Sequence, residues 1–378
     1  MTAAPARSPL VGFQLPYFLA GWQRKLLGGP PLCLTFFVTS ACNGHCPHCL
    51  AAGRPATAEP ELSPAEATRI ARSAGRIFNL LVSGGEPFLR DDLVELVTPF
   101  HDHARARQIT VPTNGSLPER VEAMADRLAA ACPRAKVNLR LAVDGPPATH
   151  DRIRGIPGGF ELVMESARRV EALARRRPNL WLEMCFTLST LNQEDYPELL
   201  AELDRRGVGL SPFILLCRPP TLGPGVWQVS MDSYRRAQRA RRERVGHGLT
   251  GSKRPRLPVF ERVVMAYVDE TARRVERVAR DPEYRWRCSA GRLALVVDEV
   301  GAVYACETLW QPLGRLRELD YDLGRVLAGE PLRELRAARR RGCRCSHETN
   351  VTLDASFSLR ALATALACVV APARRRGE

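Results

Sequence analysis

A chain of 378 residues, 45% hydrophobic and 25% charged, has the make-up of an ordinary globular protein with room for one full catalytic domain and a smaller companion. No apolar run reaches the ~18 residues that a helical membrane span needs, and no export signal is evident, so the expected location is cytoplasmic. The formal charge of +14 does not by itself indicate nucleic acid. Lysine occurs only at 25, 136 and 253, and 52 of the 55 basic residues are arginine, a compositional habit rather than a phosphate-binding surface.

Residues 1–32 read as an extension rich in Pro and Gly, closed by Gly28-Gly29-Pro30-Pro31. Its apolar run from Leu10 to Ala20 is interrupted by Gln14 and Pro16 and followed by Trp22, Arg24 and Lys25. This segment is expected to dock on the protein, with a peripheral membrane contact as the alternative. Leu32 to Thr39 is a buried strand, short and rich in β-branched and aromatic residues. Directly after it come Cys42, Cys46 and Cys49, spaced C-x3-C-x2-C. Three thiolates so close can wrap one iron–sulfur cluster, and three rather than four leave one iron open to a small molecule. A zinc knuckle completed by His45 or His48 is the competing reading of the same residues.

Strands and helices then alternate. Ser63 to Glu66 is a capping box with Pro64 at the first helical position, opening a helix through Ala74. Strands follow at 78–82, 108–111, 137–143, 181–188 and 210–216. Between them, helices start at Asp91-Asp92, after a second capping pattern at Ser116 to Glu119, around Phe160 to Val170, and at Tyr196. Six β–α units with near-continuous apolar strands imply a parallel sheet covered by helices, open or closed into a barrel. The turns after the strands are polar: Ser83-Gly84-Gly85-Glu86-Pro87, then Thr113-Asn114-Gly115, then Asp144-Gly145-Pro146 with His150 to Gly155 behind it. Thr187, Thr190 and Asn192 follow the fifth strand. Gly84 and Gly85 let a partner approach the backbone closely.

Together the cysteine triplet and this succession of turns resemble the radical S-adenosylmethionine (SAM) superfamily, over roughly 33–216 and again from near 288. The resemblance implies a partial (β/α)6 TIM-like barrel over 33–217, with chemistry at the C-terminal ends of the strands. It implies a [4Fe-4S] cluster on Cys42, Cys46 and Cys49 whose open iron holds SAM. It further implies SAM contacts from Gly84, Gly85, Glu86 and Pro87, with Thr113, Asn114, Asp144 and Thr187 close by. His48 stands where the family usually has an aromatic residue against the adenine, and Phe213 to Leu215 are apolar candidates for the same pocket.

Residues 218–284 read as a connector over the barrel mouth, with basic helical stretches at 231–244 and 259–280 serving as solvated spacers. Beyond it, Cys288 and Cys306 flank a hairpin built on 293–297 and 303–306, and Cys343 and Cys345 bring the thiols to four. This lobe, 285–350, resembles the twitch domain, the shortened relative of the SPASM extension, which implies a small α+β unit with one auxiliary [4Fe-4S] cluster. Ser346-His347 follows the last pair where such chains often have a further cysteine, so His347 is an alternative ligand and zinc an alternative metal. Residues 351–378 form a C-terminal tail. Cysteines 33, 132, 185, 217 and 368 read as buried core thiols.

The function implied is a radical SAM enzyme reduced by a flavodoxin or ferredoxin-type donor. Reductive cleavage of SAM gives a deoxyadenosyl radical that abstracts hydrogen from a small biosynthetic metabolite, leading to oxidation, epimerisation or rearrangement. A ribosomal-peptide maturase is the alternative; such enzymes often carry a leader-gripping domain of ~80 residues, for which 1–32 is too short. An iron–sulfur or zinc scaffold is the non-enzyme reading. No residue is singled out as catalytic.

Overall fold

The strand that precedes the cysteine triplet, β1 (Cys33–Phe37), lies inside a nine-stranded sheet rather than at its edge. The computed structural model describes residues 10–53, 57–210, 212–216, 229–246, 259–339, 342–359 and 363. Five strands run parallel to β1: β2 (Asn79–Ser83), β3 (Gln108–Thr113), β4 (Lys136–Ala142), β5 (Leu180–Leu188) and β6 (Phe213–Leu216), in the spatial order β6-β5-β4-β3-β2-β1. The chain returns between them through α2 (Pro64–Ser73), α3 (Leu93–Asp102), α4 (Pro118–Ala131), the pair α5 (Pro147–Arg154) and α6 (Gly159–Ala174), and α7 (Tyr196–Arg205). This is the partial (β/α)6 TIM-like barrel.

Alternation along the strands builds it. Leu34, Phe36, Leu80, Val82, Ile109, Val111, Val137 and Leu139 are buried under the helices, against Ile70, Leu96, Phe100 and Leu128. The opposite faces point inward and are mixed in character, with Thr35, Asn79, Gln108, Thr110, Arg140 and Glu183 lining the lumen. Helix α2 starts as expected, on a capping box in which Ser63 and Glu66 satisfy each other's backbone N–H groups.

Three parts differ from the sequence expectation. The N-terminal extension contains a helix, α1 (Leu10–Leu27), despite Pro16 within it. Packing overrides the local penalty: Tyr17 sits 5.7 Å from the Phe78 ring and 5.4 Å from that of Phe357. Gly21 lets the helix lie flat there, since a Cβ would come 2.0 Å from the Phe357 ring.

Second, the helices α8 (Met231–Gly246) and α9 (Val259–Arg280) are not solvated spacers. Tyr234 and Ala237 on α8, with Ala272 and Val275 on α9, join the core around β5 and α7. The density of arginine on their outer faces hides that apolar stripe in the sequence. Third, the C-terminal hairpin does not form a sheet of its own. Its strands β7 (Ala294–Val297), β8 (Ala302–Tyr304) and β9 (Pro312–Arg315) extend the barrel sheet, β7 pairing in parallel with β1 on the side opposite β2. Asp298 makes the turn by accepting from Val300 N, Ala302 N and the Tyr304 hydroxyl at 2.8–3.1 Å.

Helices α10 (Leu323–Ala328), α11 (Glu330–Ala338) and α12 (Glu348–Ser356) complete the lobe, the last of these running past 350 into the expected tail. Glu348 accepts from Leu216 N at 2.5 Å, satisfying backbone on the edge strand β6. Thr271 and Thr352 bond at 3.0 Å, and Arg274 meets Asp354 at 2.7 Å, so α12 and α9 close over the same side. Among the described residues no helix is long and apolar enough to cross a membrane.

Candidate active site

The loop carrying Cys42, Cys46 and Cys49 leaves the C-terminal end of β1 and is held by the turns that follow β2, β3 and β4. Gly84 and Gly85 are what permit the first of these contacts. Gly84 has φ +132°, and a Cβ there would lie 2.3 Å from the Thr39 carbonyl; at Gly85 it would lie 2.0 Å from that of Ala41. The space left by the missing side chains is filled by the cysteine loop itself, with Gly85 N donating to Thr39 O and Glu86 N to Ala41 O at 2.8 and 2.9 Å. Outside the loop, Glu61 accepts from the Thr39 hydroxyl and Ser40 N, and Arg90 ties Glu61 to Val38 O.

Glu86 is buried, and its carboxylate accepts from the Thr113 hydroxyl, Asn114 N and Phe88 N at 2.8, 2.7 and 3.2 Å. Burial pushes this carboxyl above its usual range against the pull of those donors. Pro87 is buried at the start of a short 3-10 turn. Asn114 reaches the cysteine loop directly: its Nδ2 donates to Asn43 Oδ1 at 2.7 Å, and Asn43 Nδ2 donates to Ser116 Oγ at 2.8 Å. Ser116 was expected to cap α4. It bonds Asn114 Oδ1 instead, and α4 follows Leu117, which provides no side-chain cap.

Asp144 is wholly buried at the end of β4. Its carboxylate meets Arg154 Nη2 at 2.5 Å and His48 Nε2 at 3.4 Å, and accepts from Thr187 N at 2.8 Å. Asn192 donates to its carbonyl at 2.8 Å. Burial alone would raise the Asp144 carboxyl; Arg154, then His48, override this and hold it well below the usual range. His48 therefore turns inward to a carboxylate, while His45 remains exposed on the loop. Arg154 is a residue that sequence reasoning did not single out. Its other arm, Nη1, lies 3.7 Å from Cys46 Sγ, and its carbonyl accepts from His45 N at 2.9 Å.

The three thiols are free and act on one another: burial pushes Cys42 and Cys46 up, and each feels Cys49. Among the described residues no three His, Cys, Asp or Glu converge tightly enough for one single metal ion; a lone zinc would need its sulfurs at ~2.3 Å, whereas a cubane gives each thiolate its own iron. The donor set, with Arg154 beside it, fits a cluster.

The second group is brought together as well. Burial pushes Cys288 up, and Cys306, Cys343 and Cys345 all add to that shift, so the four thiols face one region. Cys343 arrives through a bridge with Trp286, whose indole N–H donates to Cys345 O at 2.8 Å. Ala290 N, Thr308 N and His347 N donate to Cys288, Cys306 and Cys345 at 3.3–3.4 Å. His347, the alternative ligand, has both ring nitrogens engaged: Nε2 with Glu307, and Nδ1 accepting from Asn350 N as the cap of α12. Of the isolated cysteines, Cys132 and Cys185 are buried, their thiols pushed up by burial to about 12 and about 11. Cys33 is half-buried at the lumen wall; Cys217 and Cys368 lie outside the described residues.

A cavity of about 570 Å³ occupies the lumen. It runs from Cys33, Thr35 and Asn79 past Arg140 and Glu183 to Phe213 and Leu215, and reaches Cys306, Glu307 and His347 at its lobe end. Arg140 is paired with Glu183 at 3.2 Å and braced on the Phe213 ring at 4.4 Å.

Residues 36–209 match the Radical SAM superfamily. The chain is 31% identical over 294 residues to mycofactocin maturase MftC of Mycobacterium ulcerans, an alignment covering 73% of this chain and 68% of that one. The chain belongs to the radical SAM superfamily. It is an enzyme of that superfamily and works with a [4Fe-4S] cluster and SAM. A pre-heme d1 synthase of Dinoroseobacter shibae is 31% identical over 186 residues, 48% of this radical SAM chain, which spans only 42% of that synthase. Among solved structures, anSMEcpe with bound AdoMet shares the fold at TM-score 0.57 and 16% identity, covering 87% of this chain and 81% of its own.

Proposed function

We propose that Cys42, Cys46 and Cys49 hold the [4Fe-4S] cluster, that the turns at 84–87 and 113–114 hold SAM beside it, and that Cys288, Cys306, Cys343 and Cys345 hold a second cluster. The substrate sits in the lumen, which Cys306 of the second group lines, and is oxidised there. The observation that carries the cluster and SAM reading is the packing of the cysteine loop on the Gly84-Gly85-Glu86 and Asn114 turns; the substrate's place rests on the cavity of about 570 Å³ that runs from the inner faces of the strands to Cys306. When bound, the cluster and SAM supply an organic radical that takes a hydrogen atom from the substrate. The chain's own part is placement and exclusion. Its strands, α9 and α12 enclose the reacting group away from water, and Arg140, immobilised by Glu183 and Phe213, offers a fixed cation for orienting it. A flavodoxin or ferredoxin-type protein is the electron donor.

A volume of this size suits a compact metabolite, in keeping with the similarity to pre-heme d1 synthase. The similarity to a maturase favours a second reading, in which a peptide side chain enters the same lumen. Anaerobic protein given dithionite and SAM is expected to release deoxyadenosine. The triple variant Cys42→Ala/Cys46→Ala/Cys49→Ala is expected to release none and to lose about four of about eight irons. Intact iron in that variant, or no deoxyadenosine from the unaltered protein, would overturn the assignment.

A further inference from the structure

We propose that Arg154 is a positioning residue for electron entry: it fixes a positive charge against Cys46 and thereby raises the potential at which the three-cysteine cluster accepts its electron. The inference rests on the reading of Cys46 as a cluster ligand.

Arg154 is the last residue of α5, and everything around it restricts its motion. Nη1 lies 3.7 Å from Cys46 Sγ and Nη2 lies 2.5 Å from Asp144, so the two arms of one planar group are pinned by different partners. The backbone is pinned too. Its carbonyl accepts from His45 N at 2.9 Å, and Gly44 leaves room for that carbonyl, since a Cβ there would stand 3.3 Å away. Gly155, at φ +64°, turns the chain directly over His45. With 12% of its side chain exposed, against 0% for Asp144, the guanidinium is shielded from solvent ions.

Reduction adds one negative charge to the cluster. A cation held against a ligand sulfur, donating to it, stabilises the reduced form more than the oxidised one, and hydrogen bonds to cluster sulfurs move potentials in that direction. Asp144 opposes this, but the guanidinium stands between them, with Nη1 toward Cys46 and Nη2 toward Asp144. Asp144 thus orients Arg154, and His48 steadies Asp144 at 3.4 Å from its other side.

The test is an anaerobic redox titration followed by electron paramagnetic resonance, reading the signal that changes on adding SAM. The variants are Arg154→Lys and the double variant Arg154→Gln/Asp144→Asn, which removes both buried charges together and leaves neither uncompensated. Both are expected to keep the iron content of the unaltered protein. The double variant should titrate at a more negative potential, and Arg154→Lys should fall between it and the unaltered protein. An unshifted potential at full iron content overturns the inference. So does a loss of iron with the remaining signal unshifted, because Arg154 would then only hold the loop. If Cys46→Ala keeps the SAM-responsive signal, the ligand assignment itself has failed.

Discussion

Asp144 and its neighbours show how a buried charge becomes architecture. The carboxylate collects Arg154, His48, Thr187 N and, through its own main chain, Asn192 and His150. The ends of β4 and β5 therefore meet the cysteine loop at one atom group. His150 takes part only as a neutral ring: its Nδ1 accepts from Asp144 N at 3.2 Å. Burial first, and Arg154 second, depress its pKa from 6.5 to about 4. The unfolded chain therefore binds this proton before the folded one does, and stability should fall as pH drops from about 6.5 toward 4, by roughly 3 kcal/mol in all. Chemical denaturation across that window should show the loss in the unaltered protein and a much smaller one in His150→Gln, which keeps an acceptor without the titration. An equal loss in both would exclude His150 as its origin.

At the scale of elements, the cysteine loop is shaped by the turn after β2 more than by its own residues. Gly85→Ala would drive a methyl to 2.0 Å from the Ala41 carbonyl, one residue before Cys42. The expected outcome is loss of the SAM-responsive iron with little change in far-ultraviolet circular dichroism, because the clash is local and the barrel helices do not share it. Retention of full iron would mean that the loop has slack the geometry does not show. The triplet, the two glycines, Glu86 and the Thr113-Asn114 turn were legible in the sequence because their spacing is local. Asn43, Ser116 and Arg154 were not. Asn43 meets Ser116 across 73 residues and Cys46 meets Arg154 across 108, and nothing in a short window marks such pairs. Ser116 even carried a misleading signal, since a serine three residues before a glutamate is a common helix start. The same limit hid the helix α1 in a segment expected only to dock: the Phe357 ring it packs on lies far along the chain.

For the whole molecule, the parallel sheet could be read from alternation and its barrel form from the resemblance, whereas the attachment of the C-terminal hairpin could not. β1 pairs with β2 on one side and with β7 on the other, so the lobe carrying the second thiol group grows out of the barrel wall itself. That continuity brings Cys306 to the lumen, so a cluster held by the second thiol group would adjoin the proposed substrate space. Cys288→Ala/Cys306→Ala is expected to lose about half of about eight irons while SAM cleavage persists without substrate. Turnover with substrate should stop after hydrogen abstraction. A variant with unaltered iron would remove the second cluster from the account.

The same arrangement decides where the molecule can breathe. Among the described residues the strand bearing the cysteine loop is paired on both flanks, whereas the two rim strands, β6 and β9, each have one strand neighbour, with Glu348 holding Leu216 N on β6. The expected place for any widening is that seam, away from β1 and its Cys42, Cys46 and Cys49 loop though beside Cys306. A wall that yields there leaves β1, and the cysteine loop that follows it, held by β2 on one side and β7 on the other.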